Sequence, residues 1–456
     1  MNKIDNIIIL AAGNSSRMKT SLVKCLHKIA NKTLLQHCID TAKQLKSKKI
    51  IVVHNLDEEI LNKQNFLFED NLTLVRQKII NGTATAVATA LPYITSNSQV
   101  LIMYADVAFI DINDYQKLLQ LISENTLVLL TAILSNPYNY GRIIRDKYNK
   151  FFAVIEEKDL SSSQKDIKEI NTGVCIINSN ILMKYLSKIN NQNQQQEYYF
   201  TDIFSLVSQD KTLKLVTMSI KENTSIQGIN TLEDLYCMER YYQIKIAKKL
   251  MLQGLYLFDA KRFDLRGNLV FNKDCKIDIN VILVGNIKLG KNVTIEANVY
   301  LKNVTVADNT LIRANSFLEN CEIGKDNSIG PFARIRYGTK LTDQITIGNF
   351  VELKNSNIGA YTKINHLSYV GDSIVGEYVN FGAGSIICNY DGKNKHQTII
   401  KDGVMIGANN SLIAPLIIAE QACTAAGSTI TKNIPEKQLG IARAKQKNII
   451  WSKKNK

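Results

Sequence analysis

Small and basic residues follow the first strongly apolar segment of this 456-residue chain. The segment Ile7–Leu10 runs into the small residues Ala11–Gly13, and Arg17 and Lys24 come next. Small residues let backbone amides approach a base or a phosphate closely, and the two cations can neutralise the charge of a transferring phosphate. The pattern predicts chemistry on a nucleotide, although an ordinary tight turn with two solvated cations would have the same composition.

A lone aspartate, Asp106, ends the apolar segment Val100–Ala105. Mg²⁺ needs few protein carboxylates because phosphates and waters complete its coordination shell, so Asp106 is a candidate metal ligand. An aspartate in this position can equally cap a helix. Asn230 is a second candidate ligand, and it also suits the cap of a predicted helix, with Glu233 three residues later.

Polar residues also interrupt a repetitive segment in the second half of the chain. Among them, His366 can serve as a general base near neutral pH, which neighbouring lysines, as cations, cannot. The alternative is that His366 is a surface residue of a coil. The polar group comprises Arg334, Arg336, Glu352, Lys354, His366, Tyr369, Asn380, Asn389, Tyr390, Lys395 and Arg443.

Strand-like and helix-like segments alternate over residues 1–230. Short apolar runs suit strands that are covered on both faces, and the segment 34–45 has helical spacing. This alternation predicts an α/β fold with a mostly parallel sheet, in which ligands bind beyond the carboxyl ends of the strands. The predicted strands are Ile7–Leu10, Ile50–Val53, Leu72–Val75, Val100–Tyr104 and Leu127–Leu134.

One long helix is predicted next, over residues 231–253. Asn230 can cap its start, and Gly254 can end it. The helix would connect a domain at 1–230 to a second domain at 254–456.

The second domain carries a repeat of six residues. Aliphatic residues recur at this spacing, as at Val281, Ile287, Val293 and Val299. A period of six fits neither a helix nor a flat strand, and it predicts a parallel β-helix with the aliphatic residues stacked inside successive coils. An antiparallel β-sandwich is the alternative, but it needs no fixed period.

Composition excludes several classes of protein. The chain is 45% hydrophobic and 21% charged, which is ordinary for a globular protein. Its eight cysteines form no CxxC pair, so free thiols and a cytoplasmic location are expected, and no signal peptide or membrane span is predicted. The net charge of +15 predicts anionic partners. A basic tail, which ends in Lys453, Lys454 and Lys456, lacks a nucleic-acid motif, so phosphorylated small molecules are favoured over nucleic acid.

Motifs along essentially the whole chain resemble one bacterial family, the bifunctional N-acetylglucosamine-1-phosphate uridyltransferases and glucosamine-1-phosphate acetyltransferases. The resemblance implies a Rossmann-like nucleotidyltransferase domain followed by a left-handed parallel β-helix. The matching motifs are Leu10-Ala11-Ala12-Gly13, Arg17-Met18, Lys24, Gln77, Gly82-Thr83, Tyr104-Ala105-Asp106, Gly141-Arg142-Ile143, Glu156, Glu169–Gly173, Glu197–Asp202 and Gly228-Ile229-Asn230.

For the first domain, the resemblance implies transfer of UMP from UTP to N-acetylglucosamine 1-phosphate, with release of pyrophosphate. Arg17 and Lys24 would meet the phosphates, and Asp106 with Asn230 would bind Mg²⁺. The remaining implied contacts to the nucleotide and the sugar are Leu10, Ala11, Ala12, Gly13, Gln77, Gly82, Thr83, Tyr104, Ala105, Gly141, Glu156 and Asn171.

For the second domain, it implies prior acetylation of glucosamine 1-phosphate by acetyl-coenzyme A. His366 would be the general base, oriented by Glu352. Glucosamine 1-phosphate would meet Arg336, Lys354, Tyr369, Asn380 and Lys395. Acetyl-coenzyme A would meet Ala383, Asn389, Tyr390, Ala408, Ala426 and Arg443. The family also implies a homotrimer and a product, UDP-N-acetylglucosamine, used for peptidoglycan or lipopolysaccharide.

Some positions depart from the family pattern. Ser15 and Ala105 replace glycines, and Val23 replaces a proline before Lys24. Thr85 stands where histidine is usual, and Ala108 and Ala408 stand where proline and serine are usual. The charged positions survive, so an active first site is expected, slowed if the lost glycines constrain the backbone.

Two rival functions remain open from the sequence. In the first, the chain is a nucleotidyltransferase alone, and its β-helix only forms oligomers. In the second, it is a regulatory binding protein of the translation-factor type that keeps both folds without catalysis. The retained Glu352 and His366 argue against the first, and the retained Arg17, Lys24 and Asp106 argue against the second.

Overall fold

The computed structural model describes residues 4–13, 15–62, 71–220 and 224–451. The chain divides into two compact units, Met1–Tyr241 and Tyr242–Lys456. The end of the basic tail, with Lys453, Lys454 and Lys456, lies outside the described residues. Among the helices in the described ranges, none is both long and apolar enough to cross a membrane.

The first unit is built on a twisted sheet with the strand order β11-β7-β10-β6-β1-β4-β5. The central strands β1, β4 and β6 are buried almost throughout, as their aliphatic runs predict. The strands are β1 Asn6–Ala11, β2 Lys28–Ile29, β3 Lys32–Thr33, β4 Lys49–His54, β5 Leu72–Arg76, β6 Gln99–Tyr104, β7 Thr126–Ile133, β8 Arg142–Arg145, β9 Phe151–Ile155, β10 Glu169–Asn178 and β11 Lys214–Ile220.

The sheet is mixed. Strands β1, β4, β5 and β6 pair in parallel, and so do β7 and β11. The long strand β10 lies antiparallel between β6 and β7, and the β8–β9 hairpin is attached to it. The five predicted strands are present, but β10 changes direction, which a single apolar run cannot indicate because burial does not depend on strand direction.

Helices pack against this sheet, and α3 begins at its carboxyl edge, where Thr83 lines a cavity. Amphipathic α1, for example, begins where Thr33 accepts a hydrogen bond from the Gln36 amide, and it buries Leu34, Leu35 and Ile39. The helices of the chain are α1 Leu34–Gln44, α2 Glu58–Asn62, α3 Thr83–Ala90, α4 Ile112–Gln120, α5 Ser179–Leu186, α6 Asp202–Gln209 and α7 Leu232–Leu252.

The start of α7 corrects one expectation. Thr231, and not Asn230, caps this helix: the Thr231 hydroxyl accepts a hydrogen bond from the Asp234 amide at 3.1 Å, and the Asp234 carboxylate accepts from the Thr231 amide at 2.8 Å. This reciprocal pair is a capping box, and it leaves the Asn230 carboxamide free to point elsewhere. Gly254 ends the helix with φ of +99°, and the Leu255 amide donates to the Leu250 carbonyl.

The second unit is a parallel β-helix. All its strand pairs in the two long sheets are parallel, and equivalent residues in successive coils are 17 or 18 positions apart over most of its length, as with Lys276, Thr294 and Leu311. Three repeats of six residues therefore make one coil. Its buried core is a continuous column of aliphatic residues such as Val281, Ile295 and Leu301.

Three rows of strands make up the coils. The first row is β12 Tyr256–Leu257, β14 Lys276–Ile277, β16 Thr294–Ile295, β18 Leu311–Ile312, β20 Ser328–Ile329, β23 Thr346–Asn349, β26 Lys363–His366, β29 Asn380–Phe381, β32 Met405–Ile406, β35 Cys423–Thr424 and β37 Leu439–Gly440. Long bent strands begin the other two rows: β13 Phe263–Phe271, β15 Val281–Leu289, β17 Tyr300–Val306 and β19 Phe317–Ile323.

After β19 the bent strands divide into separate short strands. One row continues as β21 Arg334–Ile335, β24 Glu352–Lys354, β27 Tyr369–Gly371, β30 Ile386–Cys388, β33 Ser411–Ile413 and β36 Thr429–Ile430. The other continues as β22 Lys340–Leu341, β25 Asn357–Ile358, β28 Ser373–Val375, β31 Thr398–Ile400 and β34 Leu416–Ile418.

One coil is longer than the others. Asn380 pairs with Met405, 25 positions later, because a loop leaves the β-helix between β30 and β31. Tyr390 and Lys395 form an antiparallel bridge within this loop. This protruding loop contains Asn389–Gly392.

Candidate functional sites

A cavity of about 710 Å³ lies at the carboxyl ends of β1 and β6. This is the edge at which a parallel sheet presents a ligand site. The predicted residues that line the cavity are Leu10, Ala11, Ala12, Gly13, Arg17, Lys24, Gln77, Gly82, Thr83, Tyr104, Ala105, Asp106 and Glu156.

Four polar side chains meet at one side of this cavity. The Lys24 ammonium donates to Asp106 Oδ2 at 2.6 Å and to Asn230 Oδ1 at 3.0 Å. The Asn230 oxygen also accepts from Arg17 at 2.8 Å. Asp106 does not cap a helix, because Asp111 caps α4. Both oxygens that the sequence nominated as metal ligands thus converge on a single cation.

The donor set fits a magnesium ion. Mg²⁺ prefers oxygen ligands, often only one or two from the protein, with phosphates and waters as the rest. Asp106 and Asn230 supply one charged and one neutral oxygen, and both already face the same positive atom.

A half-buried carboxylate, Glu156, also lines this cavity. Burial raises the pKa of Glu156, and a 2.9 Å hydrogen bond from the Thr201 hydroxyl opposes that shift. Glu156 Oε2 lies against Gly141, where a Cβ atom would come within 3.3 Å of it. The Gly141 carbonyl in turn accepts from the Asn171 amide at 2.9 Å. Gly141, Glu156 and Asn171 are therefore neighbours.

The backbone segments at Gly82, which lines the cavity, and at Tyr198 are in close contact. Gly82 has φ of +124°, and a Cβ atom there would overlap the backbone of Tyr198. Gln77 is buried, and its amide donates to the Ile79 carbonyl at 2.9 Å and to the Thr85 hydroxyl at 3.0 Å. Thr85, which departs from the family pattern, thus holds the Gln77 side chain.

Ser15, Val23 and Ala105, which depart from the family pattern, show no backbone strain. Ser15 has φ of −89°, which any residue adopts, and its hydroxyl accepts from the Lys24 amide at 2.7 Å. Val23 has φ of −63°, close to the value that a proline ring imposes. Ala105 is buried, and its amide donates to the Leu10 carbonyl at 3.0 Å. The backbone constraint that was expected where Ser15 and Ala105 replace glycines is therefore absent at these two residues.

A second polar group lies on the β-helix. Lys354 is buried to 6% exposure, lies beside Lys395, and has its ammonium 5.6 Å from the centre of the Tyr337 ring. Arg336 donates to Glu352 at 2.7 Å, and this bond raises the pKa of Arg336. Two ammonium groups and a guanidinium in one region suit a phosphate.

Tyr369 stands next to this group. It pairs with Glu352 in the preceding coil, and burial raises the pKa of its hydroxyl. Asn380 starts the next coil at β29 and is in register with Lys363.

The partner of His366 differs from the one that the resemblance implied. His366 Nδ1 lies 3.2 Å from Asn349 Oδ1, one coil below. Glu352 instead directs its carboxylate to Arg336 at 2.7 Å and to Arg334 at 3.9 Å. The reason is the register of the coils, which pairs Asn349 with His366 and Glu352 with Tyr369.

Residues implied for acetyl-coenzyme A lie on the late coils and the protruding loop. The Asn389 amide donates to Asp372, and the Tyr390 hydroxyl donates to the Gly392 carbonyl at 2.7 Å. Arg443 donates to the Ala426 carbonyl at 2.6 Å. Ala383 and Ala408 are joined to neighbouring coils through their carbonyls, which accept from Asn409 at 2.7 Å and from Gly427 at 2.8 Å.

Some residues near the two sites were not predicted from the sequence. Tyr140 accepts from the Gly228 amide at 2.9 Å and so supports the segment that carries Asn230. Arg142 is almost fully buried and pairs with Glu157 at 2.8 Å, beside Glu156. The motif Gly141-Arg142-Ile143 was the available signal for Arg142, whereas nothing in the sequence distinguishes Tyr140 or Asn349 from ordinary loop residues.

Two family models match parts of the chain. A MobA-like NTP transferase domain matches residues 7–145, and a GMPPB C-terminal domain matches residues 265–347. A solved UDP-glucose pyrophosphorylase complexed with UDP-glucose is 18% identical, covers 53% of this chain and 99% of its own, and has a TM-score of 0.43.

Full-length relatives are more informative. The "Bifunctional protein GlmU" of Marinobacter nauticus is 42% identical over 99% of this chain and 99% of its own length. That of Nitrosomonas eutropha is 44% identical over 100% of both chains. The chain belongs to the bifunctional GlmU family. The resemblance to bifunctional uridyltransferases and acetyltransferases is thereby confirmed, and the chain is an enzyme of this GlmU type, with matches that span both units.

Proposed function

We propose that the chain makes UDP-N-acetylglucosamine in two reactions, one in each unit. The second unit acetylates glucosamine 1-phosphate with acetyl-coenzyme A. The first unit then transfers UMP from UTP to N-acetylglucosamine 1-phosphate and releases pyrophosphate. The observation that carries the proposal is the convergence of Lys24, Asp106 and Asn230 at a cavity that Glu156 also lines.

In the first reaction the sugar phosphate is already a nucleophile, so the protein needs to align it and offset charge. Leu10–Gly13 and Gln77 hold the uracil, and Gly82 and Thr83 lie against the nucleotide. Arg17 and Lys24 neutralise the phosphates. Asp106 and Asn230 would hold Mg²⁺, which supplies Lewis-acid stabilisation of the charge on the phosphates when bound.

Glu156 and its neighbours position the sugar. The half-buried Glu156, next to Gly141, accepts hydrogen bonds from sugar hydroxyl groups, and Asn171 and Tyr104 also contact the sugar. Because the pocket partly withdraws Glu156 from water, a hydrogen bond that it makes to the sugar is weakened less by competing solvent.

In the second reaction the substrate ammonium must lose a proton before its nitrogen attacks the thioester. His366 accepts that proton at Nε2. Arg336, Lys354 and Lys395 bind the phosphate of glucosamine 1-phosphate, and Tyr369 and Asn380 contact the sugar. Ala383, Asn389, Tyr390, Ala408, Ala426 and Arg443 contact acetyl-coenzyme A.

The working protein is a homotrimer in the cytoplasm, with UTP, glucosamine 1-phosphate, N-acetylglucosamine 1-phosphate and acetyl-coenzyme A as its partners. Two observations support this setting. Each of the eight cysteines lies in the described residues and is a free thiol, as in a reducing compartment. The net charge of +15 suits phosphorylated substrates. The product would feed peptidoglycan or lipopolysaccharide synthesis.

One assay tests both reactions. The purified chain is given the three starting substrates with Mg²⁺, and free thiol and pyrophosphate are followed separately. Both should appear, and pyrophosphate should depend on prior acetylation unless N-acetylglucosamine 1-phosphate is added. In a second reaction that also contains N-acetylglucosamine 1-phosphate, pyrophosphate without thiol release would support a nucleotidyltransferase with a scaffold β-helix, and neither product would support a binding protein.

A further inference from the structure

Two adjacent coils of the β-helix meet closely at Asn349 and His366. These residues are in register on the parallel strands β23 and β26. Asn349 Oδ1 lies 3.2 Å from His366 Nδ1, and the Asn349 carbonyl accepts from the Leu367 amide at 3.1 Å. Asn349 therefore contacts both the ring of His366 and the backbone directly after it.

The close approach depends on the residue before Asn349. Gly348 has no side chain, and a Cβ atom built there would overlap the Asn365 backbone of the next coil. The main chain on either side of the Asn349–His366 pair is thus in contact, which fixes the relative height of the two side chains. On the far side, the His366 carbonyl accepts from the Ser368 hydroxyl at 2.8 Å and from the Gly384 amide at 3.3 Å.

We propose that Asn349 is the positioning residue of the acetyl-transfer site, and that its side-chain oxygen holds His366 in the tautomer that carries the proton on Nδ1. An oxygen at Nδ1 can only accept, so the ring nitrogen must donate. Nε2 then keeps its lone pair and is the atom that can take a proton from the substrate. This proposal rests on the role of His366 as the general base.

Few charges face the imidazole. The packed strands β23 and β29 contain no titratable side chain within Thr346–Asn349 or Asn380–Phe381. On its own strand, Lys363 is exposed. Glu352 on the neighbouring row is paired with Arg336. An uncharged oxygen at position 349 thus orients the ring without adding a negative charge that would favour imidazolium.

The test uses two variants that separate orientation from charge. Asn349→Ala removes the acceptor, and kcat for acetyl transfer should fall on the order of tenfold, the usual effect of losing one hydrogen bond. Asn349→Asp keeps an acceptor but adds charge. It should therefore keep kcat within a few fold at high pH while the acidic limb of its pH–rate profile moves to higher pH, because the carboxylate favours the protonated ring.

Asn292→Ala is the matched control, because Asn292 also joins two coils, with its amide donating to Asn309 at 3.2 Å, far from this site in sequence. Thermal unfolding is recorded for every variant. The proposal is overturned if Asn349→Ala stays within twofold of wild type, if Asn349→Asp loses as much activity at high pH as Asn349→Ala, or if Asn292→Ala lowers kcat equally.

His366→Ala separates this proposal from the proposed function. If His366→Ala keeps its acetyl transfer, the general-base assignment itself is wrong. If His366→Ala abolishes the reaction but the Asn349 variants behave as wild type, only the positioning role is wrong.

Discussion

The Lys24 ammonium lies 2.6 Å from Asp106 Oδ2 and 3.0 Å from Asn230 Oδ1. Asp106 lies 82 positions after Lys24 in the chain and Asn230 lies 206 positions after it, yet the three residues form one cluster. The two oxygens are the proposed Mg²⁺ ligands, so the ammonium now makes the contacts that the ion would make. Binding of the metal with its nucleotide would then release Lys24 toward the phosphates.

Asp106→Asn should lower pyrophosphate release by orders of magnitude. The change removes the only charged ligand of the proposed pair, and phosphate repulsion is then left uncompensated. Acetyl transfer should stay near normal because it needs no metal. Asp40→Asn is the matched control, since Asp40 forms an ion pair with Lys32 on the surface of the same unit. Equal loss of both activities in a folded protein would contradict the assignment of two sites.

His366→Ala should lower acetyl transfer by roughly 10² to 10⁴ fold, the usual span for a lost general base. Uridylyl transfer from UTP to supplied N-acetylglucosamine 1-phosphate is the internal control and should be unchanged. Binding of glucosamine 1-phosphate should change little, since Arg336 and Lys395 carry its phosphate. Acetyl transfer within a few fold of wild type would shift the base role to Tyr369 or to water.

Glu156→Gln should stabilise the protein at pH 8 while it weakens sugar binding. Partial burial raises the pKa of Glu156, so the folded protein bears the cost of a partly desolvated carboxylate at any pH above that raised pKa. Below about pH 4 the group is protonated in the folded and unfolded chains alike, and the cost disappears. Glutamine keeps the oxygen that accepts from Thr201.

The melting temperature of Glu156→Gln should thus exceed that of wild type by a few degrees at pH 8 and match it near pH 4. The KM for N-acetylglucosamine 1-phosphate should rise. Glu124→Gln, at an exposed position, should change neither quantity. A lower melting temperature of the variant at pH 8 would mean that a positively charged partner stabilises the ionised Glu156 carboxylate in solution.

The assembled protein should have a mass of about three times 51.3 kDa by light scattering. A β-helix with three rows of strands presents flat faces on which identical copies can pack. Exposed apolar residues on the second unit, such as Ile374, Met405 and Ile417, would be covered in such an assembly. A stable monomer that is competent in acetyl transfer would disprove the trimer.

Much of the fold was predictable because its signals are local. The aliphatic run at Ile7–Leu10 favours a buried strand, and the period of six favours a coil that buries every aliphatic residue of the repeat. The direction of β10 was not predictable, because strand direction depends on which neighbours are available. The cap of α7 was assigned to Asn230 by composition alone, although Thr231 and Asp234 form the actual capping pair.

The sequence by itself determined which residue types are present for chemistry: two cations after a small-residue loop, an aspartate at a strand end, and a histidine in a repetitive domain. Only the tertiary structure decided which of them meet. Asn230 reaches Lys24 because α7 is capped by its neighbour Thr231, and His366 meets Asn349 in place of Glu352 because the two lie one coil apart in register. Contacts of this kind depend on the register of the coils and the direction of the corners. Packing between residues far apart in the sequence fixes both, so a local sequence pattern cannot predict them.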